Sequence, residues 1–166
     1  MFPGRFRRVR SLAGRRSGQA LVEFAMAALV ILMLIFGVIE FGRVVLVYNS
    51  IANAARIGAR YAITNSSPPN ASSVTNADLS TIQSNVQTVV KSFLAPTTVN
   101  INAAGLSITT AFPNKSCTGS NPTSTCSGTT AGNLVQVTVA YPYDLLIPYY
   151  SININVSSTS EGIITW

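Results

Sequence analysis

Between residues 20 and 39 the chain has one ionisable side chain, Glu23, in an otherwise apolar run. As a helix rising about 1.5 Å per residue, that run is roughly 30 Å long, the thickness of a bilayer core. A carboxylate placed in such a run costs a few kcal/mol or more. What neutralises it is the question that the rest of the sequence has to answer.

Charge placement orients the run. The chain carries 11 basic and 5 acidic residues, a net charge of +6. The excess is all at the front, as Arg5, Arg7, Arg8, Arg10, Arg15 and Arg16. Beyond Gly18, the bases Arg43, Arg56, Arg60, Lys91 and Lys115 are balanced by Glu23, Glu40, Asp78, Asp144 and Glu161. The high isoelectric point is therefore no argument for nucleic acid as a partner, which would require cations on the folded body. An Arg-rich segment ahead of an apolar run is held on the cytoplasmic side. The expectation is a single pass through the inner (cytoplasmic) membrane, with the N-terminus inside. A cleaved secretory signal is the rival reading. Against it, the run is longer than a usual signal core, and no small-x-small site lies just after it, the candidate Ala52-Asn53-Ala54 being far downstream.

The pattern divides into three parts: residues 1–18 as a basic leader, 19–63 as one long helix, and 64–166 as an extracytoplasmic α+β domain. The helix is expected to leave the membrane at about residue 42, where charge returns. Glu40 and Arg43 sit three apart and can form an ion pair on one face. They read as the outer membrane-water boundary. Gly37 and Gly42 permit close helix approach, and Gly58 is assigned the same use. Asn65-Ser66-Ser67-Pro68-Pro69-Asn70 breaks the helix. A second helix is predicted from residue 76 or 77 to 94, because Leu79, Ile82, Val86, Val89, Val90 and Phe93 recur at helical spacing. Val99 and Ile101 are expected to start a strand that pairs with Leu106, Ile108 and Thr110. Val135, Val137, Val139 and Tyr141 alternate along another, and Ile152, Ile154 and Val156 along its partner. Residues 113–132 read as a loop. The fold class expected is α+β: a long transmembrane helix followed by a small antiparallel sheet packed with one helix.

Cys117 and Cys126 are the only cysteines. Outside the cytosol their spacing reads as a local disulfide. There is no histidine and no Cys-x-x-Cys, so no metal site is expected. No nucleophile-base pair can be drawn from the scattered acids, so no catalytic residue, cofactor or small-molecule substrate is assigned. Tyr141, Tyr143, Tyr149 and Tyr150 cluster around Pro142 and Pro148 and read as edge packing and turns, with a protein- or glycan-contact surface as the rival. Asn65, Asn70, Asn114 and Asn155 stand in Asn-x-Ser contexts, which a Ser/Asn-rich chain produces by chance.

A cut after Gly18 would give Glu23 a partner. Gln19 would then carry a positively charged amine, about 6 Å along the helix axis from Glu23. Two helices offset by that distance would bring the carboxylate of one to the amine of the other. In a low-dielectric setting the pair attracts strongly, whereas either charge alone is costly.

Gly18-Gln19-Ala20-Leu21-Val22-Glu23-Phe24 after a basic leader resembles the type IV prepilin processing motif. With Ile39-Glu-Phe-Gly-Arg43 and Asn53-Ala-Ala-Arg-Ile-Gly-Ala-Arg-Tyr-Ala62, the chain resembles the TadE-like family of the Tad/Flp tight-adherence pilus. Val137-Thr-Val-Ala-Tyr-Pro-Tyr143 and Thr159-Ser-Glu-Gly162 fit the same family. The resemblance implies a minor pilin or pseudopilin. It implies Gly18 and Gln19 as the two sides of a prepilin peptidase cut, and Glu23 and Phe24 as assembly residues. Its implied partners are the peptidase, the membrane and other pilin-like subunits. The alternative function is a monomeric signal-anchored surface binding module whose sheet domain recognises a ligand.

Overall fold

The computed structural model describes residues 14–66, 74–127, 131–146 and 152–165, with side chains from Gly18 onward. Most of the basic leader, the Pro68-Pro69-Asn70 turn, and Pro148, Tyr149 and Tyr150 lie outside the described residues. The described residues fall into two compact units divided between Phe41 and Gly42. One helix, α1 (Gly14–Asn65), runs through the division. It starts at Gly14 rather than at Gln19, and ends at Asn65 rather than Ile63.

Polar side chains close α1. Thr64 Oγ1 donates to the Arg60 and Tyr61 carbonyls at 3.1 Å, Asn65 Nδ2 to Tyr61 O at 2.9 Å, and Ser66 Oγ to Ala62 O. Of these acceptors Ala62 is among the last four carbonyls, which a helix leaves unsatisfied, and the bonds to Arg60 and Tyr61 are side-chain back-bonds in the last turns.

The second unit follows as β1 (Val74–Thr75), α2 (Asn76–Leu94), β2 (Ser107–Ala111), β3 (Ser116–Cys117), β4 (Thr125–Ser127), β5 (Leu134–Asp144) and β6 (Asn153–Ile163). Helix α2 begins in a capping box. Asp78 N donates to Thr75 Oγ1 at 3.3 Å, and Thr75 N donates to Asp78 Oδ2 at 2.9 Å. Its buried stripe is Leu79, Ile82, Val86, Val90 and Leu94. Val89 and Phe93 are half-buried at the rim of that stripe.

Strands β2, β5 and β6 form one antiparallel sheet in that order, and β1, β4 and β3 a second, smaller one. The long β5–β6 ladder runs from Leu134↔Ile163 to Asp144↔Asn153. Val135, Val137, Val139 and Tyr143 put one face of β5 into the core, as period-two alternation requires.

Two expectations need correction. First, residues 99–101 are not a strand, and β2 takes β5 as its partner (Thr110↔Val137). The 99–101 segment spends its hydrogen bonds locally. Asn102 N donates to Asn100 Oδ1 at 3.0 Å, Ala103 N to Asn100 O at 3.1 Å, and Gly105 N to Ala103 O at 2.8 Å. Val99 is buried and Ile101 packs on the core from this irregular turn. Second, residues 113–132 are not simply loop, because they contain β3 and β4. The α+β class holds, with α2 as the expected covering helix, and α1 adds to that cover. Val47, Ile51, Ala54, Ala55, Ala59 and Ala62 of α1 join α2 in the core. Gly58 serves that packing within the chain. A Cβ there would lie 2.8 Å from Val90 Cγ2 and 3.0 Å from Val137 Cγ1, so only glycine admits this approach of α1 to α2 and β5.

Candidate functional site

In the first unit, α1 buries almost nothing. Its large apolar side chains from Leu21 to Phe41 range from 49% exposed at Ile35 to 73% at Phe24. They lie all round the helix rather than along one stripe. A helix apolar on every side is stable only inside a protein core or in lipid. Among the described residues, one helix is long and apolar enough to cross a membrane.

Four predicted site residues share this segment. Gln19 and Glu23 are four apart and share a side of the helix, while Gly18 and Phe24 lie about a third of a turn to either side of it. All four are exposed, and no atom lies within 4 Å of where a Cβ on Gly18 would be. Glu23 is thus a carboxylate on an open apolar surface, available to a partner molecule.

Arg43 stands at the start of the second unit, with its guanidinium carbon 5.7 Å from the centroid of the Tyr143 ring. That is cation–π range. Helical spacing pointed to Glu40 and missed Tyr143, because the two positions are joined only by the fold. Tyr143 is buried and Tyr141 half-buried, so these two members of the tyrosine cluster serve packing.

Cys117 and Cys126 face each other across β3 and β4 and form a disulfide. Asn76, the first residue of α2, organises the surroundings. Its Nδ2 donates to Gly119 O at 2.9 Å and to Asn121 O at 3.0 Å. Its Oδ1 lies 3.3 and 3.2 Å from the two sulfurs. The bridge thereby ties the small sheet to the start of α2. Nothing in the sequence marked Asn76, which stands more than forty positions from Gly119.

A groove of ≈ 590 Å³ lies along the C-terminal half of α1, lined by Arg56, Ile57, Arg60, Ile63, Phe93 and Glu161 among others. Glu161 Oε1 accepts from Gln136 Nε2 at 2.7 Å. The groove holds charge of both signs but no nucleophile-base pair. Among the described residues, no group of three His, Cys, Asp or Glu could hold a metal ion.

Residues 18–60 match the family model of TadE-like proteins. The TadE-like segment begins at the motif glycine and ends at Arg60, inside α1. It therefore includes the exposed apolar helix and the first part of the alanine face. The family suggests a protein associated with a Tad pilus, and the apolar helix suggests a single-pass membrane anchor. The TadE-like, pilus-associated family is not known as enzymatic. The likenesses at residues 137–143 and 159–162 lie beyond the matched segment. Neither a curated protein nor a solved structure matches the chain.

Proposed function

We propose that this chain is a minor pilin or pseudopilin of a Tad-type pilus, working by helix-helix packing in the membrane and in the filament. One observation carries the reading. The TadE-like segment contains, from residue 20 to 41, an apolar helical stretch exposed on every side, with a single carboxylate near its start. Such a helix is built to be covered by lipid first and by other helices afterwards. A prepilin peptidase removes residues 1–18, and the new amine of Gln19 on one subunit meets Glu23 of its neighbour. Phe24 packs beside that contact. Glu40 and Arg43 pair at the far boundary of the membrane, with the domain beyond them outside the cytoplasm.

Intact-mass measurement of the chain recovered from cells, with and without a prepilin peptidase, tests the reading. Loss of residues 1–18 only when the peptidase is present is the expected result. A mature chain that keeps residues 1–18 in both cases refutes it and favours a plain anchored binding module.

A further inference from the structure

We propose that the free edge of β6, beside the groove of Arg56 and Arg60, receives an extended acidic segment of another polypeptide as an added strand. Two carboxylates at alternate positions of that segment meet the two guanidiniums. The proposal uses the second unit alone and stands whether or not residues 1–18 are removed.

The backbone of β6 offers the first half of the site. It is an outer strand of the main sheet, in the order β2, β5, β6. Leu145 N donates to Ile152 O at 3.1 Å, and Ile164 N donates to Asn133 O at 2.9 Å. These two bonds bracket the β5–β6 ladder, whose register is unbroken between them. Opposed residues of an antiparallel pair alternate between bonded and non-bonded. The even-numbered residues of β6 therefore turn their N–H and C=O groups toward β5. Asn153, Asn155, Ser157, Thr159, Glu161 and Ile163 turn theirs outward. Among the described residues no backbone hydrogen bond meets that outer row. Sheet edges are ordinarily blunted by shortness, bulges, proline or lysine. Strand β6 has 11 residues, no bulge against β5, and no proline or basic residue. An edge of this kind accepts a further strand through main-chain hydrogen bonds.

The groove offers the second half. It sets Arg56 and Arg60 of α1 beside Ser160 and Glu161 of β6. Both arginines are exposed. Glu161 is the one acid among the described lining residues, and it accepts from Gln136 Nε2 at 2.7 Å. Gln136 is its partner across the ladder. By strand alternation both lie on the face opposite the one that buries Val156. The two cations on the helix side are thus left without that carboxylate, and an acidic partner complements them. Spacing fits the partner to a strand. One helical turn separates Arg56 from Arg60, about 6 Å along the axis. Alternate residues of a strand stand about 6.6 Å apart and point to one face. Gly58 lies beside Val137, the ladder partner of Ser160, and Ile63 beside Gly162, so α1 runs in the direction of β6. Acids at alternate positions of an added strand therefore match the two arginines. A second copy cannot supply them. On the helix side its β6 presents Ile154, Val156, Ser158, Ser160 and Gly162, and no two of the chain's 5 acids stand two apart.

Fluorescence anisotropy of labelled peptides, titrated with the full chain in a non-ionic detergent, tests this. The first probe is a short Thr/Val peptide with glutamates at two alternate positions. The second replaces both glutamates by lysine. The third keeps the glutamates but carries N-methyl groups on alternate backbone amides, which removes the donors that an added strand needs. Binding of the first probe alone is the expected result. Arg56→Gln with Arg60→Gln should weaken it by about tenfold or more, as loss of charge-assisted contacts requires. Ser157→Pro removes one outward N–H without touching the β5 ladder and should abolish binding. Far-ultraviolet circular dichroism checks that each variant is folded. Absence of binding by the first probe overturns the proposal. Equal binding of the lysine probe, or indifference to the arginine pair, overturns the acidic partner. Equal binding of the N-methylated probe overturns strand addition, even if Ser157→Pro fails to fold.

Discussion

Thr110 sits on the core face of β2, and its hydroxyl is buried with no hydrogen-bond partner. A buried donor without a partner costs about 1–3 kcal/mol. Thr110→Val keeps the branched shape, so it should raise stability by about 1 kcal/mol in thermal melts of the detergent-solubilised chain. Gly58 carries the opposite lesson. Gly58→Val adds atoms where Val90 and Val137 leave no room, and overpacking of this kind costs about 1–3 kcal/mol or more. A third residue effect is pH-dependent. Hydrogen bonds from the backbone and side chain of Thr75 hold the Asp78 carboxyl below its ordinary value. A lowered carboxylate pKa stabilises the fold above the unfolded value, and that contribution is lost as pH falls below about 4. The carboxyl is exposed, so the effect is small. Asp78→Asn should flatten the acid limb of stability against pH, and an unchanged limb would assign the acid loss to other groups.

At the scale of elements, the start of α2 is held by a capping box, by Asn76, and by the disulfide beside it. Cys117→Ser with Cys126→Ser removes a short-loop crosslink worth about 2–3 kcal/mol. Hydrogen exchange should locate the loss in β3, β4 and the first turn of α2, with β5 and β6 little affected. Helix α2 was legible because its apolar residues recur at helical spacing and Pro96 follows it. The β5–β6 partnership was legible, since the two strands follow one another along the chain, but the partner of β2 was not. Alternation shows which side of a strand is buried but not which strand lies next to it. Val99 and Ile101 alternate like a strand, yet they pack from an irregular turn. The alanines of α1 gave the same difficulty: small residues suit a solvated helix and a tightly packed one equally, and only the sheet beneath them decides.

At the scale of the whole molecule, the exposed apolar helix requires a lipid or helical environment, and the proposed function gives Glu23 a partner there. Glu23→Ala should leave membrane insertion intact, since it removes a cost. It should reduce co-purification with other pilus components. Unchanged recovery of those components would remove Glu23 from assembly. The sequence alone determined the long apolar run, its single acid and the α+β class, because runs, charges and periodicities are local and repeat along the chain. Tertiary structure alone decided that α1 helps to cover the sheet, that Arg43 lies over the Tyr143 ring, and that Asn76 holds the loop beside the disulfide. Those depend on contacts between residues far apart in the chain, and no local pattern encodes which distant surfaces fit together.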